Sequence, residues 1–172
     1  MIALDLDGTL ANYGNHRTTV VNVALIARLA HHGVHAVSIA TNQGGIPFAI
    51  AQSDAGQAVT YPTADDFWDR VLDVERYLSS YRIRLVSVHA CTYHPRATQR
   101  NIQLAARHLR TGAPLVDWTW HIYTTPAMRK PAPGMLRRLA ATGTYYGDSA
   151  EDRAAAFDAG WQFVEVARFG EP

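Results

Sequence analysis

Two carboxylates two residues apart, Asp5 and Asp7, follow a short apolar run and precede Gly8. On an extended chain alternate side chains share a face, so both acids point one way, and the glycine lets the backbone turn sharply after them. Like charges at this spacing call for a cation or a shared proton, which fits divalent-metal binding or acid–base chemistry. A strand followed by an Asx-type turn has the same local sequence, so the reading depends on what else the chain brings there.

Three further segments set polar residues beside apolar runs. Thr41 and Asn42 open the stretch Thr41-Asn-Gln-Gly-Gly-Ile46, a hydroxyl and two amides before glycines; Asp148 and Asp152 follow Tyr145-Tyr146-Gly147; Lys130 stands before a helix entry. Fifteen of the sixteen basic residues are arginine, so Lys130 is the single lysine. Acids that hold magnesium, a hydroxyl and amide for phosphoryl oxygens, and one ammonium make a set suited to phosphoryl transfer.

The elements that must position these groups follow from periodicity. Residues 11–17 read as a polar loop. Thr18 or Thr19 caps a helix through Val20, Val23, Ala24, Ala27, Leu29 and Ala30, stopped by Gly33. Residues 34–40 read as a buried strand, 47–62 as an irregular loop, and Thr63-Ala-Asp-Asp66 as the cap of a helix carrying Phe67, Val71, Val74 and Leu78 to about Ser80. A strand over 84–90 follows. Residues 99–110 suit a helix with Ile102, Leu104, Ala105 and Leu109 inward, and 115–123 a strand, loop or flap. The prolines after Lys130 fit a helix entry running to about Ala141. A short strand at Tyr145-Tyr146, a helix over 150–160 and a strand over 161–166 complete the chain. Repeated β-α steps predict a doubly wound, Rossmann-like parallel sheet with helices on both faces. Ligands of such sheets bind outside the carboxyl ends of the strands, where the four polar segments would converge.

With 172 residues, 48% of them hydrophobic, the chain is expected to be one domain, 1–172. It has no apolar run of about 18 residues and no secretory-type start, so a cytoplasmic protein without membrane contact is expected. One cysteine, Cys91, excludes an intrachain disulfide and any multi-thiolate zinc site. Charge is uneven: residues 92–130 carry six bases against Asp117 alone, whereas the remainder is net acidic.

The segments Asp5-Leu-Asp-Gly-Thr9, Thr41, Lys130, and Gly147-Asp148 with Asp152 resemble, in order and spacing, the four motifs of the haloacid dehalogenase superfamily of phosphohydrolases. Ala40-Thr-Asn-Gln-Gly-Gly-Ile46 and Arg129-Lys-Pro-Ala-Pro-Gly134 look like its branch holding histidinol-phosphate, heptose bisphosphate and polynucleotide 3′-phosphatases. The resemblance implies an aspartyl-phosphate mechanism with Asp5 as nucleophile and Asp7 as acid and then base. Thr41 and the amide of Asn42 would bind phosphoryl oxygens, and Lys130 would neutralise their charge. Mg2+ would be held by Asp5, the main-chain carbonyl of Asp7, and Asp148, with Asp152 as ligand or support.

Only a short loop separates the first two motifs, which leaves no room for a large cap there. Residues 92–128 are expected as a basic, aromatic-containing insertion. Its arginines with Trp118, Trp120 and Tyr123 would suit a nucleic-acid end, and the expected activity is a polynucleotide 3′-phosphatase, with a small-metabolite phosphatase as the alternative. A phospho-receiver is disfavoured because its acid pair and phosphoacceptor sit on different strands, and a non-catalytic scaffold because the acids and Lys130 are all present. Cys91-Thr-Tyr-His94 invites a zinc reading completed by His108 and His121, but the spacing fits no regular zinc pattern. His31, His32 and His35 read as solvated residues at a helix end.

Overall fold

The computed structural model describes residues 1–13 and 18–167. A six-stranded sheet runs through it, built from β1 (Ile2–Leu4), β4 (Ala36–Asn42), β5 (Arg84–Cys91), β6 (Thr119–Tyr123), β7 (Thr144–Gly147) and β8 (Gln162–Glu165). The order is β6-β5-β4-β1-β7-β8, and every neighbouring pair is parallel. From β1 the chain winds outward on one side to β6, then crosses back to β7 on the other. β1 therefore lies at the switch in strand order, flanked by β4 and β7, where the crevice of an open α/β sheet forms.

The sheet is covered by helices on both faces. Leu4, Val37, Ile39, Val88 and Ala90 pack with α1 (Val23–His31), α2 (Ile46–Asp54), α3 (Ala64–Ser80) and α4 (Gln99–Thr111). Ala3, Ala40, Cys91 and Tyr145 pack with α5 (Gly134–Leu139) and α6 (Ala150–Ala159). Each large apolar side chain buried this way contributes about 1.5–3 kcal/mol. α3 has the expected Thr63 capping box with Asp66 and buries Phe67, Val71, Val74 and Leu78.

Several elements differ from the sequence reading. Residues 11–13 and 19–21 pair as an antiparallel hairpin, β2 (Ala11–Tyr13) with β3 (Thr19–Val21), and residues 14–17 of the expected loop lie outside the described residues. Neither Thr18 nor Thr19 caps α1; Asn22 does, its side chain accepting from the Leu25 N–H. Gly33 does follow the helix end, at φ 72°. α2 occupies the first half of the expected 47–62 loop, because Pro47 sits in its first turn, where a missing N–H costs nothing. The helix expected to reach Ala141 is preceded by a 3₁₀ turn over Pro126–Met128 and starts only at Gly134.

Residues 92–128 supply α4 and the edge strand β6, which extend the sheet. Leu104 is partly buried on α4, while Ile102, Ala105 and Leu109 are buried as expected. Trp118 is 7% exposed and packs on Trp68, the ring centroids 6.0 Å apart; Trp120 approaches the same ring at 6.4 Å. Arg100 pairs with Asp54, and Arg110 donates to the Ile122 carbonyl.

Candidate active site

β1 stops at Leu4, so Asp5 and Asp7 belong to the turn that follows rather than to one strand. Leu6 between them is fully buried and its carbonyl accepts from the N–H groups of Leu10 and Ala11, which winds the chain back on itself. Gly8 makes the turn possible. Its φ is +79°, and a Cβ there would lie 2.2 Å from Asp148 Oδ2, so any side chain would collide with the acid from the neighbouring strand end. Thr9 Oγ1 also lies 3.4 Å from Asp148 Oδ1.

Asp5, Asp7, Asn42, Lys130, Asp148 and Asp152 line one cleft of about 280 Å³, together with Gly44, Gly45, His94, Arg129, Ser149 and Glu151. Of the residues expected in the site, only Thr41 stands behind this wall. It is 1% exposed, and its Oγ1 accepts from Gln43 Nε2 at 3.1 Å.

At the buried end of the cleft Lys130 Nζ lies 2.8 Å from Asp5 Oδ1, 2.5 Å from Asp152 Oδ1 and 2.9 Å from the Tyr145 hydroxyl. Tyr145 in turn donates to the Ala40 carbonyl at 2.7 Å. Burial alone would lower the Lys130 pKa, but the carboxylates of Asp5 and Asp152 outweigh it and raise the value, keeping the ammonium charged. Asp5 behaves in the opposite sense to an ordinary paired acid. Burial pushes its pKa up, Lys130 pulls it down, Asp152 and Asp7 push it up again, and it stands at about 7.

Asp152 is wholly buried and shared between two duties. Oδ2 accepts from Ser149 N–H and hydroxyl in the capping box of α6, while Oδ1 accepts from Lys130. The dipole-complementing role open to any acid in a first helical turn is thus real, and the second oxygen positions the ammonium. Asn42 also works on Lys130: its Oδ1 accepts from the Lys130 N–H and its Nδ2 donates to the Lys130 carbonyl, both at 3.0 Å. Its side chain therefore clamps a peptide.

Asp7 sits in a different setting. Arg70 Nη1 is ion-paired with its Oδ1, and Gln43 Nε2 donates to its Oδ2 at 2.8 Å. With a partner on each oxygen, the carboxyl group is held in one orientation. Sequence reasoning missed Arg70, which is 1% exposed on α3. The signal was available: Arg70 falls between Phe67 and Val74 at three- and four-residue spacing, a charge on an inward apolar stripe. Gln43 was visible only as one of two amides, and Tyr145 only as a strand residue.

Asp5, Asp148 and Asp152 each offer a carboxylate oxygen within 4.8 Å of the others. Hard oxygen donors this close together could hold a small divalent cation such as Mg2+. No family model matches the chain, and no curated protein or solved structure matches it either.

Proposed function

We propose that the chain is a magnesium-dependent phosphomonoesterase of the haloacid dehalogenase type, working through an aspartyl-phosphate. The observation that carries the reading is the buried Lys130 ammonium held between Asp5 and Asp152 at the strand-order switch, with Asp148 across Gly8. An isolated buried lysine would lose its proton; here two acids keep it charged beside the group that would attack.

In this mechanism Asp5 attacks phosphorus, forming the acyl-phosphate bond as the ester P–O bond breaks. Lys130 offsets charge on Asp5 and the incoming phosphoryl oxygens, and Asp152, Tyr145 and Asn42 hold it in place. Asp7 protonates the leaving alkoxide and later takes a proton from the water that cleaves the acyl-phosphate; Arg70 and Gln43 fix its direction. Mg2+, when bound by Asp5, Asp148 and the Asp7 main chain, supplies charge neutralisation between carboxylates and phosphate.

A small phosphomonoester is proposed as substrate ahead of a nucleic-acid end, on the packing of the residues that would have held the latter. Trp118 and Trp120 are packed on Trp68, Tyr123 is hydrogen-bonded to His89 at 2.9 Å, and Arg100 and Arg110 have partners away from the cleft. Among the described residues, the aromatic rings and the arginines Arg100 and Arg110 of 92–128 are thus engaged elsewhere than on the cleft lining, where stacking on a single strand would need them. The direct test is magnesium-dependent phosphate release from sugar, nucleotide and histidinol phosphates and from a 3′-phosphorylated oligonucleotide, native chain beside Asp5→Asn. Turnover of a small ester, lost in the variant, supports the proposal. Preference for the oligonucleotide restores the nucleic-acid reading, and no release from any ester removes the phosphatase assignment.

A further inference from the structure

Cys91-Thr-Tyr-His94 joins no cluster of three zinc ligands among the described residues, and its two ends stand in different surroundings. Cys91 is buried, its Sγ 3.6 Å from the Thr125 carbonyl and its pKa pushed up to about 11 by burial. Neither it nor His94 belongs to a group of three clustered ligands. His94 instead lines the cleft, on the same wall as Gly44 and Arg129.

Three contacts set the imidazole there. Its Nδ1 lies 3.1 Å from the Arg96 backbone N–H and accepts from it, which in the neutral ring leaves the proton on Nε2. The Phe48 ring meets it edge to face, centroids 4.9 Å apart, and Phe48 rests in turn on Tyr61 at 5.2 Å. Gly44 lets the wall close up: a Cβ there would stand 3.1 Å from His94 Cδ2 and 3.0 Å from Arg129 Nη1. Partial burial and the cations of Arg129 and Arg96 outweigh Glu151 and lower the His94 pKa, which favours the neutral ring. No other described residue accepts from Nε2–H.

We propose that His94 reads the leaving group of the substrate, its Nε2–H donating to an oxygen of the alcohol, and that preferred substrates are phosphomonoesters of sugars or other polyols. This role of His94 rests on the phosphatase reading, because it needs the phosphoryl group at Asp5 and the alcohol directed toward the cleft rim. That rim carries donors, His94 and Arg129, and an acceptor, Glu151, whose Oε2 already takes Asn42 Nδ2 at 3.3 Å. Hydroxyls both donate and accept, so a polyol satisfies both kinds of group, whereas an alkyl or aryl alcohol leaves them unpaired and desolvated.

The test compares kcat/KM for glycerol phosphate and a hexose phosphate with that for propyl phosphate and phenyl phosphate, all with Mg2+, in the native chain, His94→Leu and His94→Gln. The native chain should prefer the polyol esters. His94→Leu should lower that preference roughly tenfold, the size of one well-made hydrogen bond, and His94→Gln, which keeps an N–H donor, should restore part of it. A preference unchanged in His94→Leu, or equal losses on both kinds of ester, overturns the role of His94 while leaving the phosphatase in place. Absence of release from every ester by the native chain overturns the phosphatase reading, and the leaving-group role with it.

Discussion

Asp5 and Asp7 stand two residues apart in one motif but in two regions of different physical character. Asp5 is 8% exposed, bonded to a buried ammonium, and holds its proton to about neutral pH. The Asp7 side chain is 36% exposed at the cleft and is aimed by an arginine and an amide from two other elements. A buried ion network is costly to break, since removing one member strands the others without water, whereas a half-exposed acid stays solvated. The Asp5 side therefore ties chemistry to stability, and the Asp7 side ties chemistry to orientation.

That contrast is sharpened first by Asp5→Asn, which should lower turnover by more than about 10⁴-fold, as expected for loss of a nucleophile, with an unchanged circular dichroism spectrum. Near-native turnover would remove Asp5 from the chemistry. Next is Lys130→Met, which leaves Asp5 and Asp152 buried without their cation. Urea unfolding should show a loss of about 3–5 kcal/mol, partly recovered by adding Asp152→Asn; an unchanged midpoint would mean the network contributes nothing to folding. Asp7→Asn should lower kcat by about 10²–10⁴-fold with a smaller stability change than Lys130→Met. If the two variants unfold alike, the two regions are not distinct. Arg70→Leu should cost turnover roughly tenfold through a misdirected Asp7, on the scale of one lost charge-assisted hydrogen bond, and Arg70→Lys should retain more of it.

The smallest effect is a pH dependence with two opposed slopes. In chelator, Asp5 binds its proton more tightly folded than unfolded, its value rising from 3.8 to about 7, so its contribution is lost as pH climbs through that window. His89, buried beside His121, drops from 6.5 to about 4, so its contribution is lost as pH falls from about 6.5 toward 4. The two offset each other in the native chain. Asp5→Asn should unmask the His89 slope, with melting temperature falling steadily toward acid; a flat profile in that variant would show that His89 does not link folding to pH.

Much of the frame was readable because local rules agreed with the fold. The Thr63 and Asp66 capping box, the stripe Phe67–Val71–Val74–Leu78 and the apolar runs expected as strands at 34–40 and 84–90, observed as β4 (Ala36–Asn42) and β5 (Arg84–Cys91), each satisfy a period that suits one element type. α2 escaped because its helix shows little amphipathic contrast and its Pro47 reads equally as a loop boundary. The β2–β3 hairpin escaped because three-residue strands carry too little period to register.

By itself the sequence determined the alternation of strands and helices, the acids that end β1 and β7, and a lone lysine placed to meet them, since these follow from residue type and spacing along one chain. Tertiary structure alone decided that Arg70 reaches Asp7, that Asp152 and Tyr145 hold Lys130, that Trp118 turns inward, and that His94 joins the cleft wall. Those pairings join residues up to 63 positions apart, and a long-range ion pair depends on how the helices pack on the sheet, which no local pattern encodes.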